Sequence, residues 1–209
     1  MHSLCIPLCI LSLACCTPSW SQEKSKSTAA REIAVIETSF GVIEIELFRK
    51  DAPKTVHNFV ELAKKGYFNR VKIHRISKDF VIQTGDPTGT GSGGESIYGK
   101  PFEDEIKGNS RFAKKQYKKA PGGSGTLFTY LRGTVAMANL GTPKTNTSQF
   151  FILLQDTDMP PQYTIFGKVI SGMDTVDQIA AVPINPIMGP TDGKPKKDVR
   201  MQSVTIRTR

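Results

Sequence analysis

The stretch VKIHRISKDFVIQTGD, residues 71–86, places an arginine and a glutamine among apolar side chains. The guanidinium of Arg75 stays protonated and offers several N–H donors in a rigid planar fork. Gln83 adds an amide that can both donate and accept. The stretch has no cysteine and does not suggest a Ser-His-carboxylate triad. This pattern therefore favours a site that binds and polarises a substrate without a covalent nucleophile.

Cysteine and histidine usage limits the chemistry further. All four cysteines lie in the first sixteen residues, and His57 and His74 are the histidines beyond the N-terminal segment, without the spacing of a metal motif. We therefore expect the folded part to have no disulfide framework, no thiol catalysis, no bound metal and no cofactor.

The N-terminal segment looks like an export signal. Residues 4–16 form an uncharged apolar run, shorter than the roughly 20 residues of a membrane-spanning helix. Ser19 and Ser21 flank Trp20 in a pattern that suits signal peptidase, so residues 1–21 are predicted to be a signal peptide. The predicted location is the periplasm or cell envelope, and secretion is the alternative.

Two other interpretations of this segment stay open. No Lys or Arg precedes the apolar run, which is atypical of a signal peptide, and a retained membrane anchor is one alternative. The other is lipidation at Cys15, because residues 12–15 loosely resemble a bacterial lipobox. The lipobox resemblance favours an exported bacterial protein.

The remaining chain reads as one domain. Residues 22–31 are polar and predict a flexible linker, and residues 32–209 predict a domain with a hairpin at 33–48. Helical spacing predicts one helix after Asp51 that ends near Gly66 and a second over 173–180. Short β-rich runs occupy residues 71–76, 80–84, 133–138, 149–154, 163–170 and 199–206. Many short strands with two helices indicate a β-barrel or sandwich.

Residues 107–126 form a basic insert with six Lys or Arg and no acidic residue. Because charge runs are usually solvated, we interpret the insert as a long surface loop. The alternative is a docking surface for an acidic protein or for anionic lipid headgroups. Nucleic-acid binding through the insert is disfavoured by the predicted export, and we expect a monomer.

Several sequence blocks, taken together, resemble the cyclophilin family of peptidyl-prolyl cis-trans isomerases. The blocks occur in the family's order between about Ile33 and Ile206: FVIQTGDPTGTGSGG (80–94), FEDE (102–105), MAN (137–139), NTSQFFI (146–152) and FGKV (166–169). The resemblance implies a mainly β fold, a closed eight-stranded antiparallel β-barrel capped by two α-helices. It also implies catalysis of X–Pro isomerisation, with proline-containing polypeptides as substrates and protein folding as the role.

The resemblance assigns roles by motif position. Arg75 is implied as the catalytic group that stabilises the twisted amide, and Gln83 as the residue that orients it. The implied substrate-binding residues are Phe80, Val81, Ala138, Asn139, Gln149, Phe151, Met159 and Tyr163.

The sequence departs from the family pattern at the walls of the implied pocket. Val81 stands where methionine is usual, Met159 falls near the usual Trp, and Tyr163 stands at the His. The missing Trp puts cyclosporin sensitivity in doubt. The alternative function is a proline-peptide-binding module or chaperone with little turnover, although retention of Arg75 and Gln83 favours the enzyme.

Overall fold

The structure, a computed structural model, describes residues 31–111, 113–119 and 126–209. The predicted signal peptide, the lipidation alternative at Cys15 and nearly all of the predicted linker lie outside the described residues. Within the described ranges, no helix is long and apolar enough to cross a membrane.

β-Strands dominate the described part of the chain, as expected. The strands are β1 Glu32–Thr38, β2 Gly41–Leu47, β3 Arg75–Ser77, β4 Val81–Thr84, β5 Ala113–Lys119, β6 Thr126–Tyr130, β7 Thr134–Met137, β8 Phe150–Leu153, β9 Thr157–Met159, β10 Ile165–Ser171, β11 Ile184–Pro186, β12 Asp192–Pro195 and β13 Met201–Thr208. In β2, Ile43, Ile45 and Leu47 are buried, and Glu44 and Glu46 alternate with them as the two-residue period predicts.

Ten of these strands form one antiparallel sheet in the order β11-β12-β3-β4-β8-β7-β10-β2-β1-β13. The expected closed eight-stranded barrel is therefore wrong in both strand number and closure, because β11 and β13 end the sheet. The sheet does curl, since the amide of Ile73 donates to Val199 and that of Met201 donates to Val71. These bonds join the segment before β3 to the start of β13 and the residues just before it.

The basic insert is not the long surface loop that the charge run predicted. Residues Ile106–Arg111 form a 3₁₀ helix, and β5 pairs with β6, which pairs with β9 in a separate three-stranded sheet. The described residues of the insert therefore contribute paired strands to a sheet that includes the segment carrying Met159.

Two helices pack on the main sheet, as predicted. α1 spans Pro53–Lys64 and α2 spans Met173–Ala180, and they pack against β13 and β2, respectively. Pro53 suits the first turn, where its missing N–H costs nothing. The Glu105 carboxylate accepts hydrogen bonds from the amides of Lys54 and Thr55 at 3.1 and 2.8 Å, so it satisfies free N–H groups at the start of α1. His57 is exposed, as expected for a residue off the apolar face.

Buried apolar side chains form two groups. The larger lies between α1 and the sheet and centres on Phe59, Phe68, Phe150 and Phe166. The smaller group lies beneath the functional residues described next. Its buried members are Val81, Tyr130, Ala136, Phe151, Leu153, Met159 and Ile165. This second group fixes the walls of the site, because close-packed interiors leave side chains little freedom.

Candidate functional site

Strand pairing brings the predicted arginine and glutamine together. Arg75 in β3 lies directly opposite Gln83 in β4, although they are 8 positions apart in sequence. Opposite residues of an antiparallel pair project to the same face. The Nη1 group of Arg75 donates to Oε1 of Gln83 at 3.0 Å. The contact between these two side chains thus follows from the β3–β4 hairpin.

Asp192 completes the arrangement, although no sequence pattern singled it out. β12 pairs with β3 on the side away from β4, which places Asp192 beside Arg75. Nε of Arg75 donates to one carboxylate oxygen at 2.9 Å, and Nη2 donates to the other at 2.6 Å. Hydrogen bonds from Arg75 hold the pKa of Asp192 below its usual value, against the opposing effect of burial. This bidentate ion pair fixes the plane of the guanidinium.

The guanidinium keeps donor capacity for a ligand. Three of its N–H groups bond to Asp192 and Gln83, and an arginine has five. The other two have no partner among the residues that the structure describes. Arg75 is thus oriented by the protein but not fully occupied by it.

A chain of hydrogen bonds supports Gln83 from behind. Its Nε2 donates to Oε1 of Gln149 at 2.9 Å, and the Gln149 amide donates to the carbonyls of Gly91 and Gly93 at 3.0 and 2.7 Å. These glycines belong to the Gly-rich loop after β4. The network therefore links the loop to Arg75 through two glutamines.

Asp86 holds that loop in place. Burial opposes the charge of the Asp86 carboxylate, but hydrogen bonds from Thr88 and from the amides of Gly91 and Gly93 outweigh it. The pKa of Asp86 is therefore far below its usual range, and the carboxylate remains ionised while the loop is formed. The loop needs glycine at position 93, where a Cβ would lie 2.3 Å from an Asp86 oxygen.

Arg75 and Gln83 open onto a small pocket of about 90 Å³, here called the inner pocket. It is lined by Arg75, Phe80, Val81, Gln83, Ala138, Asn139, Phe151 and Tyr163. The rings of Phe151 and Tyr163 meet edge to face at 5.5 Å, a favourable aromatic geometry. Eight of the ten predicted site residues thus surround one cavity with apolar walls and a cationic edge.

The other two predicted residues lie behind the pocket. Met159 in β9 is 6% exposed and packs in the smaller core group with Val81 and Phe151, so it supports the wall and does not line it. Gln149 uses its amide N–H groups for Gly91 and Gly93 and supports Gln83. Motif position predicts direct substrate contact by Gln149 and Met159. In the folded protein both side chains instead support residues that line the inner pocket.

Asn109, inside the basic insert, secures the Tyr163 wall. It is fully buried, and its Nδ2 donates to the Tyr163 carbonyl at 2.7 Å and to the Tyr130 hydroxyl at 3.2 Å. The amide of Ile165 donates to its Oδ1 at 3.0 Å. Burial raises the pKa of Tyr130 to about 12, so this hydroxyl stays protonated. No sequence signal marked Asn109, because the surrounding charge run suggested solvated chain.

Asn139 forms the boundary between the inner pocket and a second cavity. Its Nδ2 donates to the Gln162 carbonyl at 2.9 Å and to Asp104 at 3.2 Å, and its Oδ1 accepts from the Gly141 amide at 3.0 Å. Within the described ranges, its backbone N–H and C=O have no hydrogen-bond partner. This short edge therefore offers a backbone donor and acceptor to a ligand, in keeping with the substrate-binding role that the resemblance implies for Asn139.

His74 neighbours Arg75 but does not line the inner pocket. Burial lowers its pKa, which favours the neutral ring. In the described part of the chain, no three His, Cys, Asp or Glu side chains group together as metal ligands.

Comparison with known proteins agrees with this geometry. The family model described as cyclophilin type peptidyl-prolyl cis-trans isomerase/CLD matches residues 33–206. The chain is 49% identical over 158 residues to "Peptidyl-prolyl cis-trans isomerase-like 1" of Mus musculus, covering 75% of this chain and 84% of the relative. It is 41% identical over 172 residues to "Peptidyl-prolyl cis-trans isomerase-like 3" of Rattus norvegicus, covering 82% and 93%.

Solved structures show the same similarity. A crystal structure of a Cryptosporidium parvum cyclophilin type peptidyl-prolyl cis-trans isomerase matches with a TM-score of 0.70 and 34% identity, covering 86% of this chain and 99% of that chain. A second structure of that protein, in the presence of the dipeptide Ala-Pro, matches with a TM-score of 0.68 and 34% identity, covering 85% and 99%. These relatives are eukaryotic, so the matches give no support to the bacterial origin that the lipobox suggested.

Proposed function

The chain belongs to the cyclophilin family of peptidyl-prolyl cis-trans isomerases, and from this premise we propose that X–Pro bonds are twisted in the inner pocket with Arg75 as the donor to the prolyl nitrogen. One observation carries the proposal. The Arg75 fork is fixed by Asp192 and Gln83 and keeps two N–H groups for a ligand.

The reaction suits a site without a nucleophile. The partial double bond of a peptide gives a rotation barrier of roughly 18–20 kcal/mol, and no covalent bond has to break. Catalysis requires the site to bind the twisted state better than either planar state. In the twisted state the prolyl nitrogen becomes pyramidal and gains a lone pair that can accept a hydrogen bond.

This hydrogen bond accounts for part of the reduction in the rotation barrier. A hydrogen bond to a charged group contributes about 1.5–3 kcal/mol, which corresponds to about 10–150-fold in rate. The remainder must come from preorganisation. Asp192 serves that purpose, since a guanidinium held by two strong bonds does not reorganise when the amide twists.

The apolar walls give the pocket its proline preference. Val81 and Phe151 are almost fully buried beneath it, and Phe80 and Tyr163 are partly exposed at its rim. A pyrrolidine ring offers apolar surface and no N–H, so it loses no hydrogen bond on entering. The similar Cryptosporidium parvum structure determined in the presence of Ala-Pro supports proline-containing peptides as the ligand class.

A protease-coupled isomerisation assay on a short Ala-Pro peptide tests the proposal. The purified protein should accelerate isomerisation in proportion to its concentration. The alternative, a proline-peptide-binding module with little turnover, predicts binding of the same peptide without acceleration. A role in assisting protein folding would follow if refolding limited by proline isomerisation is also accelerated.

We further propose that the protein is exported, because residues 4–16 form an uncharged apolar run ahead of Ser19 and Ser21. Mass spectrometry of the native protein tests this proposal. Export predicts loss of residues 1–21, or a chain that begins with lipidated Cys15. An intact Met1 would contradict it.

The basic insert remains a proposed docking surface for an acidic protein or anionic membrane. Its support is the charge of residues 107–126, six Lys or Arg without an acidic residue. Replacement of four lysines by glutamine should weaken binding to anionic vesicles or to an acidic client protein and leave activity on a short peptide unchanged. The four are Lys114, Lys115, Lys118 and Lys119. Equal binding by both forms would contradict the proposal.

A further inference from the structure

A larger cavity adjoins the inner pocket. This outer groove has a volume of about 540 Å³, compared with about 90 Å³ for the inner pocket. Its apolar walls are Ile106, Pro143, Pro160 and Pro161. Such a cavity is large enough for a side chain of any size, and none of the residues assigned by the family resemblance apart from Asn139 belongs to it.

The outer groove is built from segments that set this chain apart. Ile106 begins the 3₁₀ helix that leads into the basic insert, and Pro160 and Pro161 follow β9, where the chain departs from the family pattern. Proline fixes its own φ near −65°, so three prolines give the groove comparatively rigid walls. A preformed apolar groove binds a ligand without first having to become ordered.

The two cavities are continuous through Asn139, which lines both. On the opposite side, Gln162 lines the outer groove and its neighbour Tyr163 lines the inner pocket. A polypeptide held at the backbone of Asn139 therefore has the inner pocket on one side and the outer groove on the other. An extended chain advances about 3.3–3.6 Å per residue, so two or three residues carry it about 7–11 Å past the shared Asn139.

The two carboxylates of the outer groove are already engaged. Glu103 pairs with Lys54 at 2.8 Å. The Asp104 carboxylate accepts hydrogen bonds from the side chains of Asn139 and Asn146 and from the Lys144 amide. Since these carboxylates have partners, Lys144 is the remaining charged residue of the lining, and the groove should select its occupant mainly by contact with its apolar walls.

We propose that the outer groove is a second substrate subsite, which takes an apolar side chain located two or three residues from the proline of the client polypeptide. This inference rests on the proposed function, since the groove acts with the inner pocket. It adds a sequence preference beyond proline itself. Partial burial of a leucine side chain in the groove is expected to improve binding by at least about fivefold.

Two peptide series test the subsite with the full-length protein. Each peptide contains Ala-Pro and carries either Leu or Ser at one position, two or three residues before or after the proline. We expect Leu to raise kcat/KM over Ser by at least about fivefold at one of these positions, mainly through KM. Equal values for Leu and Ser at every position would overturn the subsite.

Variants of outer-groove residues test whether the groove is the source of the higher kcat/KM on Leu peptides. Ile106→Asn and Pro143→Ser change exposed groove residues outside the inner pocket, and Ile170→Asn is the control on the exposed surface of β10. The two groove variants should lose the Leu preference and retain activity on the Ser peptides, whereas the control should retain both. A Leu preference that survives in both groove variants would also overturn the subsite.

Binding measurements distinguish failure of the proposed isomerase function from failure of the subsite. If the wild-type protein does not accelerate isomerisation, the affinities of the same peptides, labelled with a fluorophore, are measured by anisotropy. A Leu preference in Kd that disappears in Ile106→Asn supports the groove without catalysis. Equal Kd values for Leu and Ser peptides contradict it.

Discussion

The inner pocket and the outer groove share Asn139 but are built in different ways. Strands β3, β4 and β12 carry the polar groups of the inner pocket, and Arg75, Gln83, Asp192 and Gln149 bond to one another in a continuous network. The outer groove is lined by connecting segments and prolines, and its walls are mainly apolar.

This difference separates chemistry from recognition. Stabilising a twisted amide needs donors that are fixed to within a fraction of an ångström, and hydrogen-bonded side chains on paired strands supply that precision. Recognition of a flanking side chain needs volume and apolar contact, which a loop can change without disturbing the strands. Substitutions in the network should therefore reduce kcat, and those in the groove should alter KM and sequence preference.

Removal of the guanidinium should have the largest effect. Arg75→Ala is expected to reduce kcat/KM on a short Ala-Pro peptide by about 10–150-fold, because the charge-assisted hydrogen bond is lost. Arg200→Ala is the matched control, since Arg200 also pairs with an aspartate, Asp198, at 2.6 Å but lies outside the inner pocket. Full activity of Arg75→Ala would refute the mechanism.

Weakening the ion pair that orients the Arg75 guanidinium should reduce activity by a smaller factor. Asp192→Asn retains the shape of the side chain but removes the charge that fixes Arg75 at 2.6 and 2.9 Å. We expect kcat to fall by about three- to tenfold with little change in KM, a loss of roughly 0.65–1.4 kcal/mol of transition-state stabilisation. A change in KM alone would instead indicate that Asp192 shapes the pocket and does not position the donor.

Disruption of the Tyr163 wall tests whether the insert supports the pocket. Asn109→Ala leaves the buried Ile165 amide without its side-chain acceptor, whereas the Tyr163 carbonyl keeps the Tyr130 hydroxyl as a donor. An unsatisfied buried group costs about 1–3 kcal/mol, so the free energy of unfolding in urea should decrease by at least that amount. Lys107→Ala, at an exposed position of the same 3₁₀ helix, is the neighbouring control. Wild-type stability of Asn109→Ala would mean that the insert carries no structural role.

The Arg75–Asp192 pair also predicts a pH dependence of stability. The pKa of Asp192 is lowered in the folded protein, so the pair stabilises the fold above the unfolded aspartate pKa of about 3.9. This contribution is lost as the pH falls through the lower, folded pKa. Urea unfolding should show a constant gap between wild type and Asp192→Asn from pH 7 to about pH 5, and the gap should narrow below about pH 4. A gap that widens at low pH would contradict the assignment.

The sequence predicted the elements whose pattern is local. The helical spacing of Val56, Phe59, Val60 and Ala63 predicts one apolar face for α1, and all four are buried. Arg75 and Gln83 could be paired because they lie in one hairpin, and the family resemblance placed Phe80, Val81, Ala138, Asn139, Phe151 and Tyr163 around one pocket.

The sequence could not predict contacts between distant segments. Asp192 lies 117 positions from Arg75, and the Pro-Thr-Asp-Gly context reads as a turn. Strand β5, AKKQYKK, lacks the alternation of a half-buried strand, so its pairing with β6 had no local signal. Closure of the sheet depends on strand tilt and register, which a one-dimensional pattern does not specify.

The most direct test of the central claim is the kinetics of Arg75→Lys on a short Ala-Pro peptide. Lysine keeps the positive charge, but it cannot make the bidentate bond to Asp192 or present a planar fork to the prolyl nitrogen. If the fixed guanidinium is the catalytic element, kcat should decrease by at least about tenfold, and KM should stay within about threefold of wild type. A kcat equal to that of wild type would show that positive charge alone suffices, and would contradict the account.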